Sequence, residues 1–257
     1  MKNYISIFSR NRHRVVNGWR APIVIIVGFA TALAATAPAA TTDAVSDLSG
    51  VWIITAYSPV IRTDDGKEPP LLPAAAEIYG KRKALFAKGD VNFETVASRC
   101  NAPGMPRVMM IPYPFEIVQN SNRLAFLFQW NRLFRRVDID GPSHDADDLQ
   151  WSGRSVGHWE NNTLVIETRQ IDDTFLDAAG MPHSEALEIT ERLHLLSKST
   201  LENRMRFEDP KTFSEPWGAV VTYRKLPKGT EVGEDICLDR ILTTPAIETR
   251  NYLKYLK

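Results

Sequence analysis

Short runs of β-branched and aromatic residues, separated by turn formers, constrain the fold of this chain more than any other sequence feature. Within Leu187–Leu195, the side chains Leu, Ile, Glu, Leu and Leu alternate with Glu, Thr, Arg and His. This period of two indicates a strand with one buried face. Turn formers such as Asn120–Asn122 and Glu160–Asn162 separate neighbouring runs. The pattern predicts strands at Val51–Ala56, Phe115–Gln119, Leu124–Trp130, Leu133–Ile139, Leu164–Thr168, Leu187–Leu196, Leu201–Phe207 and Ala219–Leu226.

The remaining pattern predicts one early helix and one β-rich domain. Pro73–Lys88 carries alanines and larger apolar residues at helical spacing. No Gly/Ser-rich linker, low-complexity block or convincing repeat divides residues 40–257, which are enough for one sizeable core. We therefore expect an all-β fold, either an antiparallel barrel or a tightly curved sheet.

The N-terminal segment has the pattern of a secretory signal peptide. A basic leader without acidic residues precedes the apolar stretch Ala21–Ala35, and Ala37-Pro38-Ala39 follows it. We predict that residues 1–39 are removed by cleavage before Ala40, which places the mature chain in the periplasm or outside the cell. An uncleaved membrane anchor is the alternative. A bilayer span needs about 20 apolar residues, however, and this run is shorter and contains Pro22.

Loss of the leader changes the charge balance of the chain. The full sequence has 31 basic and 31 acidic residues. Five of the basic residues lie in the leader: Lys2, Arg10, Arg12, Arg14 and Arg20. The mature chain is therefore mildly acidic, which argues against nucleic acid as a partner. We also expect no stable membrane insertion after cleavage. The oligomeric state is not predicted.

The two cysteines, Cys100 and Cys237, form an even pair in a chain expected to be exported. In an oxidising compartment a disulfide between them is the default expectation. Two buried free thiols are an alternative. Metal ligation is a further one, although neither cysteine has a second Cys or His close by in the sequence.

The predicted first strand opens with Gly50-Val51-Trp52. This G-x-W pattern resembles the start of lipocalin-type barrels, in which the tryptophan closes the barrel floor. The resemblance implies that residues 40–257 form a single antiparallel lipocalin-like (calycin) β-barrel, with a β-sandwich as the alternative.

Longer motifs extend over nearly the whole mature chain. They are LSGVW at Leu48–Trp52, CNAPGMPR at Cys100–Arg107, PYPFEIVQ at Pro112–Gln119, RRVDIDGPSH at Arg135–His144, SVGHWENNTLVIET at Ser155–Thr168, PHSEALEITER at Pro182–Arg192 and DPKTFSEPW at Asp209–Trp217. This set resembles an abundant family of exported bacterial proteins of uncharacterised function. The resemblance implies export and a single β-rich domain, and it implies no particular reaction. Members usually have a histidine at the position of Glu188 and a more acidic turn at Asn161-Asn162.

Four of the five histidines fall between His144 and His194, close to several carboxylates. Imidazole titrates near neutral pH, so this region is the candidate site for acid–base chemistry. His183 could act as a general base oriented by Asp177 or Glu185 at a strand mouth, or it could cap a turn. His158 could point into the barrel beside Trp159 or could be structural. His144 and His194 are expected at the surface.

Paired arginines supply a second candidate. Alternation along a strand places Arg135 and Arg136 on opposite faces, so that one could point inward and pair with a carboxylate such as Glu116. That arginine could bind a substrate carboxylate, or the pair could be structural. Glu116 could also be an acid–base carboxylate whose pKa is raised by apolar neighbours. Trp159, Trp130 and Tyr113 are the aromatic candidates for ligand contact.

Two functional hypotheses follow from these residues. The chain lacks a G-x-S-x-G elbow, an H-E-x-x-H helix and a Gly-rich turn opening a helix, so we predict no cofactor. A three-histidine metal site from His144, His158 and His183 lacks regular spacing, and no metal is predicted. The first hypothesis is a cofactor-independent lyase, isomerase or hydrolase that acts on a small apolar or aromatic molecule. Its catalytic residues would be His183, His158, Glu185, Asp177 and Glu116. The second is a non-catalytic lipocalin-like carrier of small hydrophobic ligands.

Overall fold

The structure is a computed structural model that describes residues 45–93, 96, 100–142 and 148–237. The expected signal peptide and His144 lie outside these residues. Among the described residues, no helix is both long and apolar enough to cross a membrane.

Nine strands of the described chain close into one barrel, in which each strand pairs with its neighbours in sequence order and β9 returns to β1. This confirms the predicted all-β barrel. The helix predicted from Pro73 is also present and ends one residue earlier than expected. The elements are β1 (Gly50–Ile54), α1 (Pro73–Ala87), α2 (Arg107–Met110), β2 (Phe115–Asn120), β3 (Arg123–Phe128), β4 (Phe134–Ile139), β5 (Arg154–Glu160), β6 (Thr163–Arg169), β7 (Glu188–Ser197), β8 (Thr200–Glu208) and β9 (Trp217–Lys225).

The barrel is antiparallel except at one pair of strands. β4 and β5 run parallel, with Val137 opposite Ser155 and Ile139 opposite Gly157. An odd number of strands cannot alternate in direction all the way round a closed ring, so at least one parallel pair is required. A parallel pair needs a long crossover connection, and residues 140–142 and 148–153 are its described parts.

β5 is the strand that the sequence pattern does not predict. Gly153 precedes β5 and Gly157 lies in its middle, and glycine ordinarily weakens a strand. At Gly157 the glycine permits a close approach, because an added Cβ would lie 3.0 Å from Val137 Cγ1 and 3.3 Å from Ile139 Cδ1. The feature that hides β5 in the sequence therefore allows it to pack against β4.

Alternation along each strand builds the barrel core. Trp52 on β1, Phe115 on β2, Phe126 on β3, Phe207 on β8 and Tyr223 on β9 all point inward and are almost fully buried. Phe115 packs edge-on against Tyr223, with ring centroids 5.1 Å apart. Large aromatic side chains thus fill much of the interior.

The two ends of the barrel differ in their connections. Short turns join β2 to β3, β5 to β6 and β7 to β8 at one end, which we call the hairpin end. Longer segments leave from the opposite end, which we call the loop end, and the β1–β2 segment carries α1. α1 is held there by Tyr79, whose hydroxyl donates a 2.7 Å hydrogen bond to Asp177 of the β6–β7 loop.

A disulfide joins Cys100 and Cys237, as expected from the sequence, with Cα atoms 5.5 Å apart. The bridge packs with Val96, Tyr113 and Trp130 in a small apolar cluster separate from the barrel core. It ties the segment before β2 to the segment after β9 across 137 residues of sequence.

Replacing Cys100 and Cys237 together by serine should lower the free energy of unfolding by about 4–5 kcal/mol, because the unfolded chain regains the entropy of a long loop. Urea denaturation of the oxidised protein and the double variant measures this difference. The wild-type protein denatured under reducing conditions is the matched control and should behave like the variant. An unchanged urea midpoint in the variant would contradict the prediction.

Candidate functional site

A buried polar network lies inside the barrel around Arg135. Arg135 points inward from β4, and its Nε donates a 3.0 Å hydrogen bond to Ser155 Oγ. Its Nη2 donates to Thr168 Oγ1 at 2.8 Å and forms an ion pair with Glu191 Oε2. Asn203 Nδ2 donates to the other oxygen of Glu191 at 2.8 Å. The side chains of Arg135 and Glu191 are 1% and 0% exposed, so the pair is fully removed from water.

Arg135 points inward, but its carboxylate partner is Glu191 rather than Glu116. On β2 the inward positions are Phe115 and Ile117, so Glu116 lies on the outer surface opposite Leu127 of β3. Arg136 also faces outward and pairs with Asp138 at 2.8 Å. The expectation of an internal pair between an arginine and Glu116 is therefore wrong in its carboxylate.

Two polar atoms of this interior region have no hydrogen-bond partner: Arg135 Nη1 and Asn203 Oδ1. Burial raises the pKa of Tyr223, and the nearby charge of Glu191 raises it further. Tyr223 is therefore neutral at physiological pH. The network has donor and acceptor capacity that the protein itself does not use.

A groove of about 640 Å³ opens beside this network at the loop end. The backbone register of β4 and β5 begins only at Val137 and Ser155, so residues 134–136 are not paired through their backbone with β5. Arg135 and Ser155 belong to both the network and the groove. The groove is lined by residues 132–136, Asp138, residues 149–155, Ala102 and Asp172.

The groove combines arginines with exposed apolar side chains. Trp151 and Leu149 are 41% and 44% exposed, and Phe134 is 70% exposed. Arg154 pairs with Asp148 at 2.5 Å. A volume of this size and a mixture of aromatic and charged groups suit a small amphipathic molecule.

A second pocket of about 220 Å³ adjoins the groove and shares Ala102, Trp151 and Asp172 with it. Asn101 and Ala102, which directly follow Cys100 of the disulfide, both line it. The disulfide therefore anchors the chain segment that forms one wall of both spaces.

His183 lies in the β6–β7 loop with both ring nitrogens in hydrogen bonds. Nδ1 is 2.9 Å from the carbonyl oxygen of Ser184, and Nε2 is 2.9 Å from Thr174 Oγ1. A carbonyl oxygen only accepts, so Nδ1 carries the proton and Nε2 accepts from the threonine hydroxyl. Burial lowers the pKa of His183, which favours this neutral form, and the lone pair that a general base needs is already engaged.

Asp177 and Glu185, the expected orienting carboxylates, do not contact His183. Asp177 is buried and accepts hydrogen bonds from the backbone of Ile61 and Met181 as well as from Tyr79. Glu185 is exposed and forms an ion pair with Lys211. The structure thus places these three residues in separate local arrangements.

The remaining candidates also lie apart. His158 is on the outer surface of β5, 3.2 Å from Glu160, whereas Trp159 points inward and packs against the core. Tyr113 and Trp130 pack edge-on at 5.2 Å within the disulfide cluster. Of the residues proposed from the sequence, only Arg135 and Arg136 line the groove.

Among the groove residues that the sequence does not indicate are Arg132, Leu149, Trp151 and Arg154. Leu149, Trp151 and Arg154 lie beside Arg135 because the chain crosses over to place β5 parallel with β4, whereas Arg132 lies just before β4 itself. The sequence gives one local signal, an arginine and a tryptophan on either side of Ser152-Gly153. Within the described ranges, no group of three or more His, Cys, Asp or Glu side chains is placed to hold a metal ion.

Comparisons with known proteins do not identify a related site. No protein-family model and no curated protein matches the chain. Among solved structures, the chain is similar to a mutant of the fluorescent protein UnaG, with 12% identity and a TM-score of 0.31, over 70% of this chain and 97% of that chain. A likeness of this size carries no argument about function, which is therefore argued from the groove itself.

The buried ion pair gives a stability prediction. Arg135→Met alone should lower the free energy of unfolding by about 3–5 kcal/mol, because Glu191 would remain as an uncompensated buried charge. Adding Glu191→Met should recover much of that loss. Urea denaturation of both single variants and the double variant measures the coupling. The exposed pair Arg192–Glu160 is the matched control, with a coupling of about 0–1 kcal/mol. Strictly additive costs at Arg135 and Glu191 would contradict the prediction.

The lowered pKa of His183 gives a pH prediction. The unfolded chain, with a histidine pKa near 6.5, binds this proton more readily than the folded protein. The contribution of His183 to stability is therefore complete above about pH 6.5 and is lost as the pH falls toward the lowered pKa. Between about pH 7.5 and about pH 5.5, His183→Gln should lose less unfolding free energy than the wild type.

Urea titrations at the two pH values measure this difference. His194→Gln, on the exposed side of β7, is the control and should keep the wild-type dependence. If His183→Gln and the wild type lose equal unfolding free energy between the two pH values, His183 is not the cause of the pH dependence.

Proposed function

We propose that this barrel is a non-catalytic binding protein for a small apolar or aromatic molecule, which it holds in the groove between β4 and residues 149–155. The observation that carries the proposal is the groove itself, with Trp151, Leu149 and Phe134 exposed around an opening in the barrel wall. Each aromatic side chain left partly in water has apolar surface that a ligand would cover, and covering it is favourable.

The interior of the barrel is a less suitable site than the groove. Trp52, Phe115, Phe126, Phe207 and Tyr223 occupy its centre. Neither of the two spaces described above is lined by these five residues. We therefore modify the carrier hypothesis: the ligand binds in the groove at the barrel wall and not in the centre of the barrel.

The geometry supports binding better than acid–base catalysis. Both ring nitrogens of His183 form hydrogen bonds within the β6–β7 loop. Asp177 is hydrogen-bonded to Tyr79, and Glu185 forms an ion pair with Lys211. His158 is directed to the outer surface. No histidine among the described residues lines the groove.

We also propose that the chain is exported and belongs to the family that it resembles in its motifs. The disulfide supports export, because such bonds persist in oxidising compartments. The mature protein would then meet its ligand in the periplasm or outside the cell.

Substitution of Trp151 tests the proposed site. The neutral fluorescent dye N-phenyl-1-naphthylamine should bind the wild-type protein, and Trp151→Ala should weaken binding by about tenfold, since an aromatic contact contributes about 1.5 kcal/mol. Fluorescence titration measures the affinity. The melting temperature should change little, because Trp151 is already 41% exposed.

Leu196→Ala is the matched control, since Leu196 is 54% exposed near the hairpin end. It should leave dye binding unchanged. Dye affinity that is the same in Trp151→Ala and in the wild type would place the binding site elsewhere and overturn the proposal.

A further inference from the structure

Two arginines that line the groove each have one guanidinium nitrogen whose donor capacity the protein does not use. Arg135 Nη1 and Arg154 Nε are buried, and neither has a hydrogen-bond partner. Both residues line the groove. A guanidinium has donors only, so the group that satisfies these nitrogens must be an acceptor.

The two arginines differ in how firmly their other contacts hold them. Arg135 is tied to Ser155, Thr168 and Glu191. Arg154 uses Nη2 to pair with Asp148. Because the Arg135 side chain is already ordered, a ligand that accepts from its remaining nitrogen does not have to immobilise it.

The other charges of the groove favour an anion at this position. Asp138 is the nearest carboxylate along β4, and its pKa is held below the ordinary value by hydrogen bonds from Arg136 and Arg123, which outweigh its partial burial. Its charge is therefore compensated. Arg132 is exposed and has no carboxylate partner among the described residues. Asp172 lines the wall that the groove shares with the smaller pocket.

A neutral or cationic ligand would not use these donors fully. A buried donor left without an acceptor costs about 1–3 kcal/mol, and a charged acceptor forms a stronger hydrogen bond than a neutral one. Carboxylate and phosphate groups present two or more acceptor oxygens in a geometry that matches the donors of a guanidinium group.

We infer that the ligand of the groove carries an oxyanion head group, bound by Arg135 Nη1 and Arg154 Nε, with its apolar body against Trp151. The inference rests on the proposed function, because it specifies the ligand class of the same groove. Arg132 adds positive charge at the rim and attracts the anion without a fixed contact.

A matched ligand series tests the head group in the full chain. The probes are naphthalene-2-carboxylate, 2-naphthyl phosphate and the neutral 2-naphthamide, which share one aromatic body. At least one anion should bind about tenfold or more tightly than the amide, as expected for charge-assisted hydrogen bonds in a partly buried site. The anion that binds more tightly shows whether the head group of the ligand is a carboxylate or a phosphate ester. Isothermal titration measures each affinity.

Substitutions then test the residues. Arg154→Gln should remove most of the preference for the anion and leave the affinity for the amide within about twofold. Arg135→Lys keeps a positive charge for Glu191 but lacks the second guanidinium nitrogen, and should also reduce the preference. Arg192→Gln is the matched control on the outer surface of β7, where Arg192 pairs with Glu160, and should change neither affinity.

Each outcome separates this inference from the proposed function. Equal affinity for the amide and both anions overturns the oxyanion head and leaves the binding groove intact. A preference for the anions that survives in both Arg154→Gln and Arg135→Lys also overturns it, because the anion then binds elsewhere. If none of the probes binds, and the dye does not bind either, the groove is not a ligand site and both proposals fail together.

Discussion

The odd number of strands is the constraint on which the rest of this structure depends. A closed ring of nine strands needs a parallel pair, and that pair needs a crossover along the barrel. β4 and β5 pair over only part of their length, so the wall opens at the loop end, and the crossover residues 149–153 form the side of the opening. The groove is thus a direct consequence of how the barrel closes.

The ion pair of Arg135 and Glu191 adds a second constraint, on register. Six consecutive strands each contribute one inward polar residue to the interior: Arg135, Ser155, Thr168, Glu191, Asn203 and Tyr223 on β4 to β9. A shift of any one of β4 to β8 by one residue would turn its polar group outward and leave its partners without hydrogen bonds. Burying the two charges costs several kcal/mol, which the surrounding hydrogen bonds offset in part. The network therefore favours one register over its neighbours more clearly than an apolar core would.

Sequence periodicity was sufficient for the parts of the fold that depend on local alternation. Eight of the nine described strands and α1 follow from it, because each has one face toward the core. β5 was missed because Gly157 serves a close approach to Val137 and Ile139, a tertiary requirement without a local signal. The inward direction of Arg135 or Arg136 also followed from alternation, but the partner Glu191 depends on the register of three further strands. For His183, sequence gave the residue type and not its two hydrogen bonds, and those bonds decide whether it can act as a base.

Buried ionisable groups in a barrel need not indicate catalysis. The cost of desolvating Arg135 is met mainly inside the protein, by Glu191, Ser155 and Thr168. One donor, Nη1, remains without a partner, at a cost of about 1–3 kcal/mol in the free protein. A ligand that supplies an acceptor there relieves this cost on binding, so the unsatisfied donor contributes to affinity and to discrimination against neutral molecules. The same polar interior that fixes the strand register can thus also select the ligand, and neither role requires a proton to move.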